Sequence, residues 1–202
     1  MLKTDYIILR KTPFQETSLI VNGLSPGFGR LDFLLKGACG TGAKKFPFAG
    51  LFRELTIEFR ENTGNSSLFY MKSHEPKACF DAIANRPENY LKACDYARFL
   101  LKHTHSMLEL PQTYRSLRVL LGRLAGIVDG TFSVAAAKLV FLQESGFVPE
   151  ADAGDPGQAA ALAALLEYAL SLECPEPPFS AEYRKQLVRW TDALCVYHDL
   201  RP

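Results

Sequence analysis

Residues 7–37 read IILRKTPFQETSLIVNGLSPGFGRLDFLLKG, and their pattern decides the fold. An apolar strand over residues 6–9 ends in the basic pair Arg10 and Lys11. A polar turn over 12–16 leads to a second strand, 17–21. The turn Ser25-Pro26-Gly27-Phe28-Gly29 then feeds a third strand, 30–36, which stops at Gly37. Within it Leu31, Phe33 and Leu35 form an inner set, while Arg30, Asp32, Leu34 and Lys36 form an outer one. That alternation is the mark of a half-buried strand.

The same period recurs downstream. Along Arg53–Arg60, Leu55, Ile57 and Phe59 point one way while Glu54, Thr56, Glu58 and Arg60 point the other. Asn62-Thr63-Gly64-Asn65 is turn chemistry, because Gly and Asn accept positive φ, and it predicts a hairpin into a fifth strand over 67–72. Five short strands in about seventy residues predict a small closed barrel of the OB type. Near residue 75 the period becomes helical. Pro87 can open a helix carrying Leu91, Cys94, Arg98 and Leu101; Leu117, Leu120, Leu121, Leu124 and Val128 mark a second. A third covers 132–144, ended by Gly146 and Pro149, and a fourth 159–172. The last stripe, Tyr183, Leu187, Trp190, Leu194 and Tyr197, reads as core packing. The expected fold is α+β: an N-terminal five-stranded OB-fold β-barrel over 1–73, followed by an all-α helical domain over 74–202.

With 202 residues there is enough core for independent stability. No run of about 18 apolar residues offers a membrane span, and the N-terminus lacks a secretion-signal layout, so a cytoplasmic protein with no membrane partner is expected. The five cysteines are scattered without a C-x-x-C pair. Reduced thiols fit better than a disulfide framework or a structural zinc, and no metal or other cofactor is expected. His103 and His105, two apart on a predicted helix, point to different faces and do not share a metal. The run from Gly37 to Lys45 lacks the spacing and terminal hydroxyl of a phosphate loop. No catalytic constellation emerges, so no enzyme is expected.

Charge is more informative. The chain nets +1, yet residues 1–72 carry ten Lys/Arg against six Asp/Glu, and the remainder thirteen against sixteen. A positive head on a mildly acidic body suits a polyanion-binding barrel. Candidate DNA-binding residues are Arg10, Lys11, Arg30, Lys36, Lys44, Lys45 and Arg53, with Phe46, Phe48 and Phe52 available for stacking. By themselves these residues favour a plain reading, in which the cations keep the surface soluble and the phenylalanines plug the barrel end.

The run resembles the N-terminal barrel of the bacterial recombination mediator family RecO. The matching pieces are Ile7–Arg10, then Glu16-Thr17-Ser18-Leu19, Gly29-Arg30-Leu31 and Lys36-Gly37-Ala38. The likeness continues through the helix end at 139–149 and the closing segment at 194–202. It implies a non-enzymatic mediator of recombinational DNA repair, nucleoid-associated, that binds and anneals single-stranded DNA. Double-stranded DNA is a second candidate ligand. It further implies that the protein works with RecR to replace the single-stranded DNA-binding protein by recombinase.

Three departures stand out. The four-cysteine zinc site of many relatives is absent. Asp32 stands where a basic residue is common, so phosphate affinity on that face is expected to be weak and Asp32→Lys to strengthen it. The competing reading is that Asp32 bridges Arg30. Ala135-Ala136-Ala137-Lys138 replaces an Arg and Phe-Glu helix start, leaving Lys138 to dock the acidic, hydrophobic tail of the single-stranded DNA-binding protein. The alternatives to a mediator are an OB-fold protein-interaction module that has lost most DNA binding, consistent with the low charge, and a hydrolase hidden in the helical half.

Overall fold

In the computed structural model the described residues are 1–38, 50–60, 68–149 and 156–200. The expected turn at 62–65, and Lys44, Lys45, Phe46 and Phe48, lie outside them. Two compact units emerge, Met1–Asp81 with Leu100–Pro111, and Ala82–Phe99 with Gln112–Pro202.

The first unit is built on β1 (Leu2–Phe14), β2 (Ser18–Ser25), β3 (Gly29–Leu35), β4 (Arg53–Arg60) and β5 (Tyr70–Cys79). They form one antiparallel sheet in the order β3-β2-β1-β4-β5. A parallel bridge between Phe33 and Phe69 joins its two ends. The Phe69 amide donates to the Asp32 carbonyl at 2.8 Å, and the Leu34 amide donates to the Phe69 carbonyl at 3.1 Å. This is the OB-fold barrel. Its first strand serves two neighbours: Leu2–Ile7 pairs with β4 and Ile7–Phe14 with β2, the change falling beside a bulge between Ile8 and Arg10. Bulges bend a strand and increase its twist, which closing so small a barrel requires.

The alternation seen in the sequence fills the barrel. Tyr6, Ile8, Val21, Leu31, Phe33, Leu35, Leu55, Ile57 and Phe59 form the core. Phe33 meets Tyr6 edge-on at 5.3 Å and Phe59 at 5.5 Å. Such packing makes truncation of Phe33 to Ala cost about 3–5 kcal/mol. The buried Tyr6 hydroxyl donates to the Leu31 carbonyl at 2.9 Å, so its polar end is satisfied. Gly23 lies against this ring: a Cβ there would fall 2.6 Å from the Tyr6 ring and inside contact of the Ile7 carbonyl oxygen. Gly29 (φ +61°) meets the backbone of His105 and Leu108 in the same way, which accounts for the glycine of the Gly29-Arg30-Leu31 motif.

Two expectations about the strands need correcting. β1 continues through the residues read as a turn, and the reversal occurs at Gln15, where φ is +55°. Beyond Ile7 this strand pairs, among the described residues, with β2 alone, an edge position where Pro13 is tolerated. β5 spans Tyr70–Cys79 and so runs well past the end expected at residue 72.

The second unit packs α1 (Pro87–His103, through Phe99), α2 (Pro111–Leu124), α3 (Thr131–Glu144), α4 (Pro156–Leu170) and α5 (Ala181–Tyr197). Three of these helices open with proline, whose fixed φ and missing donor suit the first helical position. Phe99 meets Phe141 edge-on at 5.3 Å. The Tyr96 hydroxyl donates to the Ala137 carbonyl at 3.0 Å. Glu144 accepts the α2 amides of Gln112 and Thr113 at 2.8 and 2.7 Å, satisfying helix-end donors. The expected stripes shift in detail. Leu91 and Val128 are exposed, and α1 buries Ala93, Tyr96, Ala97 and Leu100 instead. On α5 only Leu194 of the five is buried; Tyr197 is exposed, and Tyr183, Leu187 and Trp190 line a groove with Pro149 and Leu162. His103 ends α1 and His105 follows it, so the two do not share a helix.

Candidate nucleic-acid interface

Strand register sorts the candidate cations into separate places. Arg10 pairs with Asn22, and Asn22 with Asp32, so these three form one cross-strand row on the outer face. Lys11 pairs with Val21, and Val21 with Phe33, the alternate row. Adjacent strand residues project to opposite faces, so Arg10 and Lys11 do not act together.

On the outer face Arg30 is already engaged. Its Nε donates to Asp32 Oδ1 at 3.1 Å and its Nη2 to Oδ2 at 2.7 Å. Nη1 donates to the Leu101 carbonyl at 2.7 Å. The pair is partly buried, with side-chain exposures of 30% for Arg30 and 18% for Asp32. The geometry selects the bridging reading of Asp32: it holds Arg30 in a two-pronged grip that leaves the guanidinium few donors for phosphate. Arg10 is exposed and gives only its Nε, at 2.9 Å, to Asn22 Oδ1. Arg53 sits at the start of β4, where Nη2 binds Asp81. Seven residue steps separate it from Arg60, about 23 Å at strand rise.

A second group forms where β3 and β5 meet. Lys36, one residue past β3, is exposed and holds its Nζ 5.4 Å from the centroid of the Tyr70 ring. Tyr70 opens β5 and is 44% exposed. Its register partner on β4 is Arg60, which is exposed, as is Lys72 two residues along β5. Lys11, Lys36, Arg60 and Lys72 form no ion pair among the described residues. Tyr70, Arg60 and Lys72 were not among the sequence candidates. The signal that could have found them is the alternation itself, since Phe69 pointing inward requires Tyr70 to point out.

In the helical unit Lys138 Nζ binds Asp192 Oδ1 at 2.9 Å and lies 5.9 Å from the Phe99 ring centroid. It lines a cavity of about 520 Å³ with Lys92, Arg98, Phe99 and Cys195. Burial pushes the Cys195 thiol pKa up, Lys138 opposing the shift. Among the described residues no three His, Cys, Asp or Glu side chains converge as a metal site, and no helix is long and apolar enough to cross a membrane.

Residues 1–80, a span that includes all five strands, match the family model for the recombination protein O N-terminal domain. No curated protein matches the chain.

Proposed function

From the match of residues 1–80 to the recombination protein O N-terminal domain, we propose that the chain is a member of the RecO family of recombination and DNA-repair proteins and a non-enzymatic DNA-binding mediator. Its barrel binds single-stranded DNA, brings complementary strands together by neutralising their phosphates, and works with RecR to exchange the single-stranded DNA-binding protein for recombinase. The observation that carries the reading is the set of exposed cations, Arg10, Lys11, Lys36, Arg60 and Lys72, on a closed OB barrel of that family. OB barrels pair such cations with ring faces to hold single strands.

The helical unit supplies the partner site in this reading. An acidic, hydrophobic protein tail suits a cavity that combines Lys138, Lys92 and Arg98 with Phe99 and Val134. Its carboxylates compete with Asp192 for Lys138.

The test is fluorescence anisotropy of a labelled oligothymidine titrated with protein over a range of salt. Neutralising about four phosphates gives a slope of log affinity against log salt of about −3. Absence of binding at low salt, or a flat response, would refute the DNA reading and favour a protein-interaction module.

A further inference from the structure

We infer that Tyr70 is a base-stacking platform, and that single-stranded DNA crosses the barrel at the seam between β3 and β5, over Lys36, Arg60 and Lys72. The inference rests on the reading of the barrel as a single-strand binder and adds where, and through which chemistry, the strand is held.

The seam fixes the ring in advance. Phe69 is tied to β3 by its two backbone hydrogen bonds. Its side chain packs inward, 5.5 Å from Phe59 and 6.0 Å from Phe33 between ring centroids. The next residue must then face outward, and pairing with Arg60 holds its backbone from the other side. A tyrosine carried on so constrained a backbone loses little freedom when a base settles on it. That is the condition under which a stacking contact adds most to affinity.

The surroundings supply the other half of the site. A base on Tyr70 carries a phosphate on either side; Lys36 Nζ lies 5.4 Å from the ring centroid and Arg60 is the register partner of Tyr70, and neither forms an ion pair among the described residues. Lys72 follows two residues along the same strand and is exposed, at the point where the register with β4 shifts between Glu58 and Phe59. The outer face of β1–β3 lacks this combination, because Arg30 is held by Asp32 and the Leu101 carbonyl. Stacking on Tyr70 requires an unstacked base, so the seam selects single strands over duplex.

The experiment compares binding of oligothymidine and of an equally long abasic oligonucleotide to the full chain and its Tyr70→Ala and Tyr70→Phe variants. Wild-type protein should prefer oligothymidine. Tyr70→Ala should lose about tenfold to a hundredfold on oligothymidine and far less on the abasic strand, with an unchanged salt slope. Tyr70→Phe, which keeps the ring, should retain wild-type affinity for both. Wild-type binding of oligothymidine that is indifferent to Tyr70→Ala would overturn the seam while leaving the DNA reading intact. An equal loss on both probes would make Tyr70 a structural residue and also overturn it. Failure of the wild type to bind either probe would overturn both readings.

Discussion

Replacing Asp32 by Ala separates a carboxylate that repels DNA from one that organises the barrel. The substitution removes two charge-assisted hydrogen bonds, at 3.1 and 2.7 Å, and leaves Arg30 with its link to the Leu101 carbonyl. A fully exposed pair of this kind contributes about 0–1 kcal/mol. Breaking a fully buried one costs about 3–5 kcal/mol. With exposures of 30% and 18% the Arg30–Asp32 pair falls between these limits, and about 2 kcal/mol is expected. At about 2–4 °C per kcal/mol for a chain of this size, the midpoint should fall by about 4–8 °C. Urea denaturation of Asp32→Ala, Arg30→Ala and the double variant would read the coupling directly, and the double variant should be less destabilised than the sum of the singles. DNA affinity should change little. A variant within about 0.5 kcal/mol of wild type that binds single strands more tightly would refute this reasoning. It would place the DNA path on the outer face of β1–β3.

Three further outcomes are expected. Gly23→Ala forces a Cβ against the Tyr6 ring and the Ile7 carbonyl, and should destabilise the barrel by about 3 kcal/mol or more, read as a lower urea midpoint. In native protein Cys79, which is exposed, should react with a thiol reagent quickly, whereas Cys94 and Cys195, whose pKa values are raised by burial, should react at rates that rise on unfolding. Asp129 accepts from the Thr131 hydroxyl and amide at 2.6 and 3.0 Å, and these bonds, with Lys92, hold its carboxyl below the ordinary value of 3.8. A depressed folded pKa means stability present above pH 4 and lost as pH falls through the folded value, so Asp129→Asn should flatten the acid limb of a stability–pH curve.

The barrel was legible where burial is one-sided. β4 has the predicted bounds because Leu55, Ile57 and Phe59 face the core while Thr56 and Glu58 do not; Glu54, expected on the outer face, is instead buried, with Lys77 Nζ 3.6 Å from its Oε1. β5 was read short because beyond Met71 it is largely exposed on both faces, and backbone pairing with β4 holds it without an apolar period. The spacing of Arg30 and Asp32 was visible, but its meaning depends on the Leu101 carbonyl, seventy-one positions away in sequence. Lys36 and Tyr70 likewise become neighbours only through the Phe33–Phe69 closure, a non-local contact that no local pattern encodes. On α1 the apolar spacing suggested Leu91, whereas burial follows Tyr96, Ala97 and Leu100, because tertiary packing chooses the face.

The most direct test of the DNA path is photocross-linking of the full chain to oligothymidine carrying 5-iododeoxyuridine, with the adducts located by mass spectrometry. Adducts should concentrate on peptides spanning Lys36 and residues 68–72, with Tyr70 the principal modified residue. Adducts confined to the outer face around Arg10 and Arg30, or to the helical unit, would contradict the assignment of the barrel seam as the single-strand path.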